Sequence, residues 1–286
     1  MEKNNSAVSV SVVIPFYSNT DWLCEAVESV LTQDYDDFEV IVVNDGSKED
    51  VSGFLEKYGG RVKYYEKENG GCASARNHGN KFVSGEYIAF MDSDDLWVKG
   101  KLSYQMNKMK KYGAAWSYSD FEVFGEGFQT DRRVMMPGAK EGLYKTISPY
   151  TGTPTVIVRT DLIKDNELSF CEGFRYGQDD IFWERLIDLE PVLYIPEVLA
   201  KVRIRGNNAG RRAAVQIHAR VEFYDKCVEL IPGYRKKCSL VYRLGIALCR
   251  FGRLFVPEDR MNRRSVEFIA RIMFVLPYLL FKIDRL

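Results

Sequence analysis

Along the first two thirds of the chain, alternating polar and apolar positions give way repeatedly to short apolar runs, and between the runs the apolar residues fall at helical spacing. Val8-Ser9-Val10-Ser11-Val12-Val13-Ile14 alternates and then turns continuously apolar, as a strand entering a core does, and Pro15 is expected to end it. Trp22, Leu23, Ala26, Val27, Val30 and Leu31 follow at helical spacing, with Asn19 or Thr20 as the candidate cap. Residues 38–43 read as a second strand ending at Asn44-Asp45-Gly46-Ser47, and Val51, Phe54, Leu55 and Tyr58 mark a second helix. A third strand is expected over 61–66, a weaker helix over 72–83 after Asn69-Gly70-Gly71, and a fourth strand over 86–91. Strands alternating with helices predict an α/β fold with a mainly parallel sheet, whose ligands gather at the carboxyl ends of the strands. Asp45, the Gly70-Gly71 turn with Arg76, and Asp92 to Asp95 then fall on one rim.

The pattern loosens further on. Leu102, Met106, Met109 and Tyr112 mark a helix whose methionine stripe reads as core, 114–121 an alternating strand, and 122–150 a loop with few periodic apolar positions. A short strand over 155–158 follows Thr151-Gly152-Thr153-Pro154. Ile181, Phe182, Arg185, Leu186 and Leu189 place a helix after Gln178-Asp179-Asp180, and strands over 192–195 and 198–202 lead into Arg203-Ile204-Arg205. Beyond Asn207 the spacing becomes helical throughout. Ala214, Ile217, Val221, Tyr224, Val228 and Ile231 predict one amphipathic helix, and Leu240, Leu244, Leu248, Phe251 and Phe255 another. The division expected is an α/β domain over 1–207 and a helical extension over 208–286.

Charge sharpens that division. The 286 residues carry 40 Lys+Arg and 40 Asp+Glu. Residues 1–200 hold 21 basic against 33 acidic and 201–286 hold 19 against 7, so the parts differ as −12 and +12. An acidic body with a basic tail points to an anionic partner for the tail. The tail also contains the uncharged run 272–281 between Arg271 and Lys282, too short to cross a bilayer but suited to its interface, with Arg250, Arg253, Arg260, Arg263 and Arg264 available to anionic headgroups. Packing of that run on the body or on a second subunit is the competing reading. Six scattered cysteines without a Cys-x-x-Cys pair, and no signal-peptide core, lead us to expect a cytoplasmic protein. Two histidines, His78 and His218, argue against a His-rich zinc site, and no Walker or dinucleotide fingerprint is present.

The chemistry is carried by the fourth strand, an apolar run that ends in Met91-Asp92-Ser93-Asp94-Asp95. Carboxylates delivered by a rigid strand suit a hard divalent cation, while an acidic loop capping the next helix would look similar. Together with Val13-Ile14-Pro15-Phe16-Tyr17, Val43-Asn44-Asp45-Gly46-Ser47, Ala75-Arg76-Asn77 and the segment from Gln178 to Leu186, this motif resembles the inverting glycosyltransferases of family 2, of the bacterial cell-surface polysaccharide type. The resemblance covers roughly 8–205 and implies the Rossmann-like nucleotide-sugar-binding fold called GT-A.

What the resemblance implies for individual residues is specific. Pro15, Tyr17 and Asp45 would line the nucleoside pocket, Tyr17 beside the base and Asp45 hydrogen-bonding it. Read alone they are a strand stop, a surface aromatic and a turn carboxylate. Arg76 would contact nucleotide or diphosphate. Within the acidic motif, which includes Ser93, Asp92 would reach the ribose and Asp94 the metal, Mn²⁺ or Mg²⁺, while Asp95 is expected only to cap a helix. Asp179 matches the catalytic base, with Gln178 where many members have Glu and Asp180 as the fallback. Arg205 stands where relatives often carry a His that closes on the diphosphate. Thr153 and Thr155 are candidates for the acceptor side. The Gln-x-x-Arg-Trp motif of processive synthases is missing, which favours one sugar per encounter.

The expected partners are a nucleotide-sugar donor, a glycan or lipid-linked acceptor and the inner-leaflet membrane surface. An oligomer is allowed and no nucleic acid is expected. The competing classes are a non-catalytic nucleotide-sugar-binding subunit, which would not need Asp179, and a nucleotidyltransferase, which would need a Gly-rich loop that Pro15 to Asp21 does not supply.

Overall fold

Strand β1 (Val10–Phe16) is buried at every position, and its alternate side chains enter two different cores. Val10, Val12, Ile14 and Phe16 join one cluster with Leu23 and Val27 of helix α1 (Thr20–Leu31), while Val13 points the other way to Ile41, Val43 and Ala75. A strand covered on both faces must be apolar at successive positions, which is why Val12-Val13-Ile14 runs rather than alternates. The computed structural model describes residues 9–125, 132–134, 140–145, 151–174, 176–205, 212–257, 261 and 263–283.

The chain continues through β2 (Phe38–Asp45), α2 (Ser52–Tyr58), β3 (Lys63–Lys67), α3 (Cys72–Gly79), β4 (Tyr87–Phe90), β5 (Leu96–Trp97) and α4 (Lys101–Tyr112). Next come β6 (Trp116–Gly125), β7 (Arg132–Val134), β8 (Gly142–Tyr144), a 3-10 turn (Thr153–Thr155), β9 (Ile157–Arg159) and α5 (Thr160–Lys164). Helix α6 (Gln178–Leu189) and β10 (Val192–Ile204) complete this part. The strands form one sheet in the order β3-β2-β1-β4-β9-β6-β10-β5, with β7 beside β6 and β8 beside β10. Its long pairings, β1 with β2 and β6 with β10, are parallel, as are β2 with β3 and β1 with β4. The antiparallel β9 sits between β4 and β6.

Several element boundaries differ from the sequence reading for physical reasons. Pro15 does not end β1: it stays in register with Val43, and its missing N–H faces the β4 side, where the pairing has already stopped at Val13. The two strands expected over 192–195 and 198–202 are one strand, β10, whose register shifts between Ile195 and Val198 around Pro196. Proline inside a sheet is accommodated at such a bulge. The expected loop 122–150 contains the end of β6 and all of β7 and β8, while 126–131, 135–139 and 146–150 lie outside the described residues. Helix α5 was not foreseen, because five residues carry too little periodicity to register.

The contacts divide the chain into two compact units, 1–173 with 182–205, and 174–181 with 206–286. In the second, α7 (Ala213–Leu230) and α9 (Leu240–Arg253) match the two expected amphipathic helices, with α8 (Tyr234–Lys237) between them. The apolar run 272–281 proves to be the later half of a 20-residue helix, α10 (Arg264–Ile283), with Pro277 inside it. No described helix is long and apolar enough to cross a membrane.

Candidate active site at the strand ends

Each predicted residue of the first unit can be placed by the element that carries it. Tyr17, the first residue after β1, is 57% exposed, whereas Pro15 is buried within the strand. Asn19 rather than Thr20 caps α1, its side chain accepting from Trp22 N at 3.0 Å. Glu49 holds the same turn from the loop after β2, accepting from Asn19 N at 2.7 Å and from Thr20 N and Oγ1 at 2.8 Å. Those three donors pull the Glu49 carboxyl below the usual range. An open cleft lined by Ser18 to Trp22, Glu49 and Arg205 runs along this edge.

Asp45, at the end of β2, is 3% exposed and organises the neighbouring turn. Its Oδ1 accepts from Lys67 Nζ at 2.7 Å and Gly70 N at 3.0 Å, and its Oδ2 from Gly71 N at 2.7 Å. Asn69 Nδ2 returns a bond to Asp45 O at 2.9 Å. Gly46 is required here: its φ is 74°, and a Cβ would come within 2.7 Å of Asn69 N. Lys67 was not singled out from sequence, although its place opposite Asp45 in the β2–β3 register brings the two together.

The turn leads into α3, where Arg76 and Asn77 divide two tasks. Arg76 is 3% exposed, donates to Asp92 Oδ1 at 2.5 Å and lies over the Phe170 ring at 5.2 Å. Asn77 clamps the Phe170 backbone, donating to its carbonyl at 2.9 Å and accepting from its N–H at 2.8 Å. Phe170 in turn stacks on Phe182 at 4.1 Å and meets Phe90 edge-on at 5.2 Å. The aromatic cluster thus ties the body of α6 to β4, two residues before Asp92.

Beyond β4 the carboxylates take different partners. Asp94 accepts from Arg205 Nε at 2.8 Å and also from its Nη2. Burial, and then the charge of Asp92, push the Asp94 carboxyl above the usual range, with Arg205 pulling the other way. Asp95 does not cap a helix, since Gly100 occupies the cap position of α4. Instead Asp95 accepts from Arg203 N at 2.8 Å, and complete burial raises its carboxyl well above the ordinary range. Arg203, like Lys67, was given no role from sequence. Its Nε donates to Asp94 O at 2.8 Å, its Nη2 reaches Glu25 Oε2 at 2.5 Å, and its guanidinium lies 5.1 Å from the Trp22 ring and 4.5 Å from that of Phe124. Arg203 lies on β10 and Arg205 just past its end, and both donate to Asp94.

Asp179 and Asp180 occupy the first turn of α6, both half-buried, in the 174–181 segment that clusters with the second unit. Thr153 and Thr155 are buried in the 3-10 turn. Thr155 Oγ1 donates to Gly152 O at 2.7 Å, and its carbonyl accepts from Gln105 at 2.8 Å.

No group of three metal-capable side chains occurs among the described residues. Mg²⁺ and Mn²⁺ sites in phosphate-transfer chemistry need only one or two carboxylates, with substrate phosphates completing the set. Asp92 and Asp94 meet that requirement: they are close enough for one charge to disfavour the other, and a cation would relieve that repulsion.

Residues 11–186 match the family model described as Glycosyl transferase family 2. The chain belongs to this family. An uncharacterised glycosyltransferase of Rickettsia bellii is 37% identical over 203 residues, 70% of this chain and 29% of the relative, so the chain spans less than a third of that protein's length. The putative teichuronic acid biosynthesis glycosyltransferase TuaG of Bacillus subtilis is 30% identical over 208 residues, covering 70% of this chain and 80% of TuaG. Among solved structures, Staphylococcus aureus TarS 1-349 in complex with UDP-GlcNAc superposes with a TM-score of 0.63 at 21% identity, over 94% of this chain and 89% of TarS 1-349. The mannosyltransferase PcManGT of Pyrobaculum calidifontis, in complex with GDP-Man and Mn²⁺, gives 0.61 at 12% identity over 95% and 88%. These two likenesses establish the GT-A-like fold of the chain.

Proposed function

We propose that this glycosyltransferase moves one sugar per encounter from a nucleotide diphosphate sugar, most simply a UDP-sugar, to a hydroxyl of a cell-surface glycan or its lipid-linked precursor, with inversion. The observation that carries the reading is the end of β4. There, two carboxylates each already hold an arginine, Asp92 with Arg76 and Asp94 with Arg205. Arg76 meets Asp92 through one nitrogen and Arg205 meets a single Asp94 oxygen through two, and a guanidinium fork also suits a diphosphate, so both arginines can be shared with an incoming donor. The UDP-GlcNAc bound to TarS 1-349 and the teichuronic acid assignment of TuaG support the donor and acceptor classes.

In this reading Tyr17 and Pro15 border the nucleoside. Asp45 accepts three hydrogen bonds, from Lys67 and the Gly70-Gly71 turn, and a carboxylate has about four acceptor sites, so one is left for a base N–H. Asp92 and Ser93 take the ribose side. Asp94 would hold Mn²⁺ or Mg²⁺, an ion that neutralises charge on the departing diphosphate when bound. Asp179 removes the proton from the acceptor hydroxyl as it attacks the anomeric carbon, with Asp180 the substitute one position on. The enzyme works from the cytoplasmic side, peripherally at the inner leaflet, where a lipid-linked acceptor presents its sugar.

Screening nucleotide sugars for metal-dependent hydrolysis and for thermal stabilisation identifies the donor. Asp179→Asn is expected to keep donor binding and lose transfer by about three orders of magnitude or more, in the range of a lost general base and its activation. Asp94→Ala is expected to lose the metal-dependent part of donor binding. Wild-type transfer rates in either variant would remove that residue from its role.

A further inference from the structure

The helical unit carries a surface that transfer chemistry does not use. On α10, Val266, Ala270, Pro277 and Phe281 are buried and recur along one side of the helix. That side packs on α9, where a Cβ added at Gly245 would come within 2.5 Å of the Phe281 ring. The opposite side is equally apolar and faces outward: Phe268, Ile272, Val275, Leu276 and Leu279 are 48% to 66% exposed. These residues follow one another at steps of four, three, one and three, which keeps them on a single stripe. A helix whose only task was to pack on α9 would be polar there. Helix α9 repeats the arrangement, with Ile246 and Cys249 inward and Leu240, Leu244 and Phe251 outward at 51% to 75% exposure.

Charge identifies the occupant. Residues 206–286 hold 16 basic residues against 7 acidic ones, among them the exposed Arg235, Lys236 and Lys237 shortly before Leu240, and the exposed Arg264 and Arg271 beside the α10 stripe. Arg260 lies outside the described residues. A second copy of the chain seated here would bring like charge against like. An anionic bilayer surface accepts both features, apolar side chains entering the headgroup boundary while guanidinium and ammonium groups meet lipid phosphates. At a rise of 1.5 Å per residue α10 is about 30 Å long, and with no described helix able to span a membrane it would lie along the surface.

We propose that α9 and α10 form a docking face for an anionic lipid leaflet, with their outward apolar stripes in the headgroup boundary and the flanking basic residues on lipid phosphates. This deepens the peripheral location proposed above and stands independently of the donor chemistry.

The test is flotation of the full chain with phosphatidylglycerol–phosphatidylcholine vesicles or phosphatidylcholine alone, at about 50 mM and about 500 mM salt. The wild type should float with anionic vesicles at low salt and lose most of that binding on neutral vesicles or at high salt. Ile272→Glu with Leu276→Glu, both on the outward stripe, should lower the partition by about tenfold or more while circular dichroism and donor hydrolysis in solution stay unchanged. The proposal is overturned if the wild type remains off anionic vesicles at low salt, or if the double variant floats as well as the wild type. It is also overturned if the wild type sediments as a dimer that the variant splits, without vesicle binding. Loss of donor hydrolysis in every protein, with flotation intact, would sink the transferase reading and leave the docking face standing.

Discussion

Lys101 places an amine in the core, and the cost of its charge can be measured. Its side chain is fully buried at the start of α4, where Nζ donates to Gln105 Oε1 and lies 4.8 Å from the centre of the Trp97 ring. Burial lowers its pKa from 10.5 to about 7. The unfolded chain therefore keeps this proton up to a pH of 10.5 and the folded chain only to about 7. Between those values the unfolded state binds more protons, so stability rises with pH, and below about 7 the folded protein bears a buried charge at full cost. At about 1.4 kcal/mol per pH unit the span is worth about 5 kcal/mol, and attraction of the ammonium to the Trp97 face offsets about 1–2 of that.

Lys101→Met keeps the length of the side chain and removes the titration. It also strands Gln105 Oε1 at a cost of about 1–3 kcal/mol, but that cost does not change with pH. Urea unfolding of both proteins at pH 6.5, 7.5, 8.5 and 9.5 separates the two effects. The stability of the variant relative to wild type should fall by about 3 kcal/mol from the lowest pH to the highest. Parallel pH profiles would refute the reasoning, because they would mean that Lys101 titrates alike in both states.

Two further variants probe the rim. Arg203→Ala removes the donor to Asp94 O and the partner of Glu25 while leaving the backbone bond to Asp95 in place. Transfer efficiency should fall by about tenfold to a hundredfold, in line with about 1.5–3 kcal/mol for a charged hydrogen bond, and Arg203→Lys should recover little of it, as steady-state kinetics would show. Asn77→Leu leaves the Phe170 N–H and C=O without their clamp and should cost about 2–4 kcal/mol in urea unfolding. Asn77→Asp, which keeps the acceptor, should cost less.

What could be read from the sequence was whatever depends on local periodicity. The β1–α1–β2–α2 succession follows from alternation and helical spacing, and the rim follows from where apolar runs stop at Asp45 and Asp92. What escaped depends on pairing at a distance. Pro15 looks like a stop until β4 is known to end its ladder at Val13. Pro196 looks like a break until β6 is seen to pair on both sides of it. The outward stripe of α10 was legible only as ten apolar residues, because a helix buried on one face and apolar on the other has no polar phase to reveal its period.

The site divides in the same way. Asp92, Asp94 and Arg76 belong to contiguous motifs and were named from sequence, whereas their partners come from other parts of the chain. Arg205 lies 111 positions from Asp94, and Asp45 holds donors 22 to 26 positions away. Contiguous motifs record which groups are present, and the fold decides which opposite charges they hold. Three carboxylates along this rim are each met by a cation, Asp45 by Lys67, Asp92 by Arg76 and Asp94 by Arg205. In the proposed reading, a donor diphosphate arriving there adds negative charge beside three carboxylates that are already paired. The balance can be kept only if the cations are shared or another enters. The side-chain exposures rank them for that exchange: Arg205 at 49%, Lys67 at 16% and Arg76 at 4%. In the proposed reading Arg205, half exposed while it pairs Asp94, is therefore the cation that a donor would reach first, and Arg76, packed beneath Asp92, the one that stays in place.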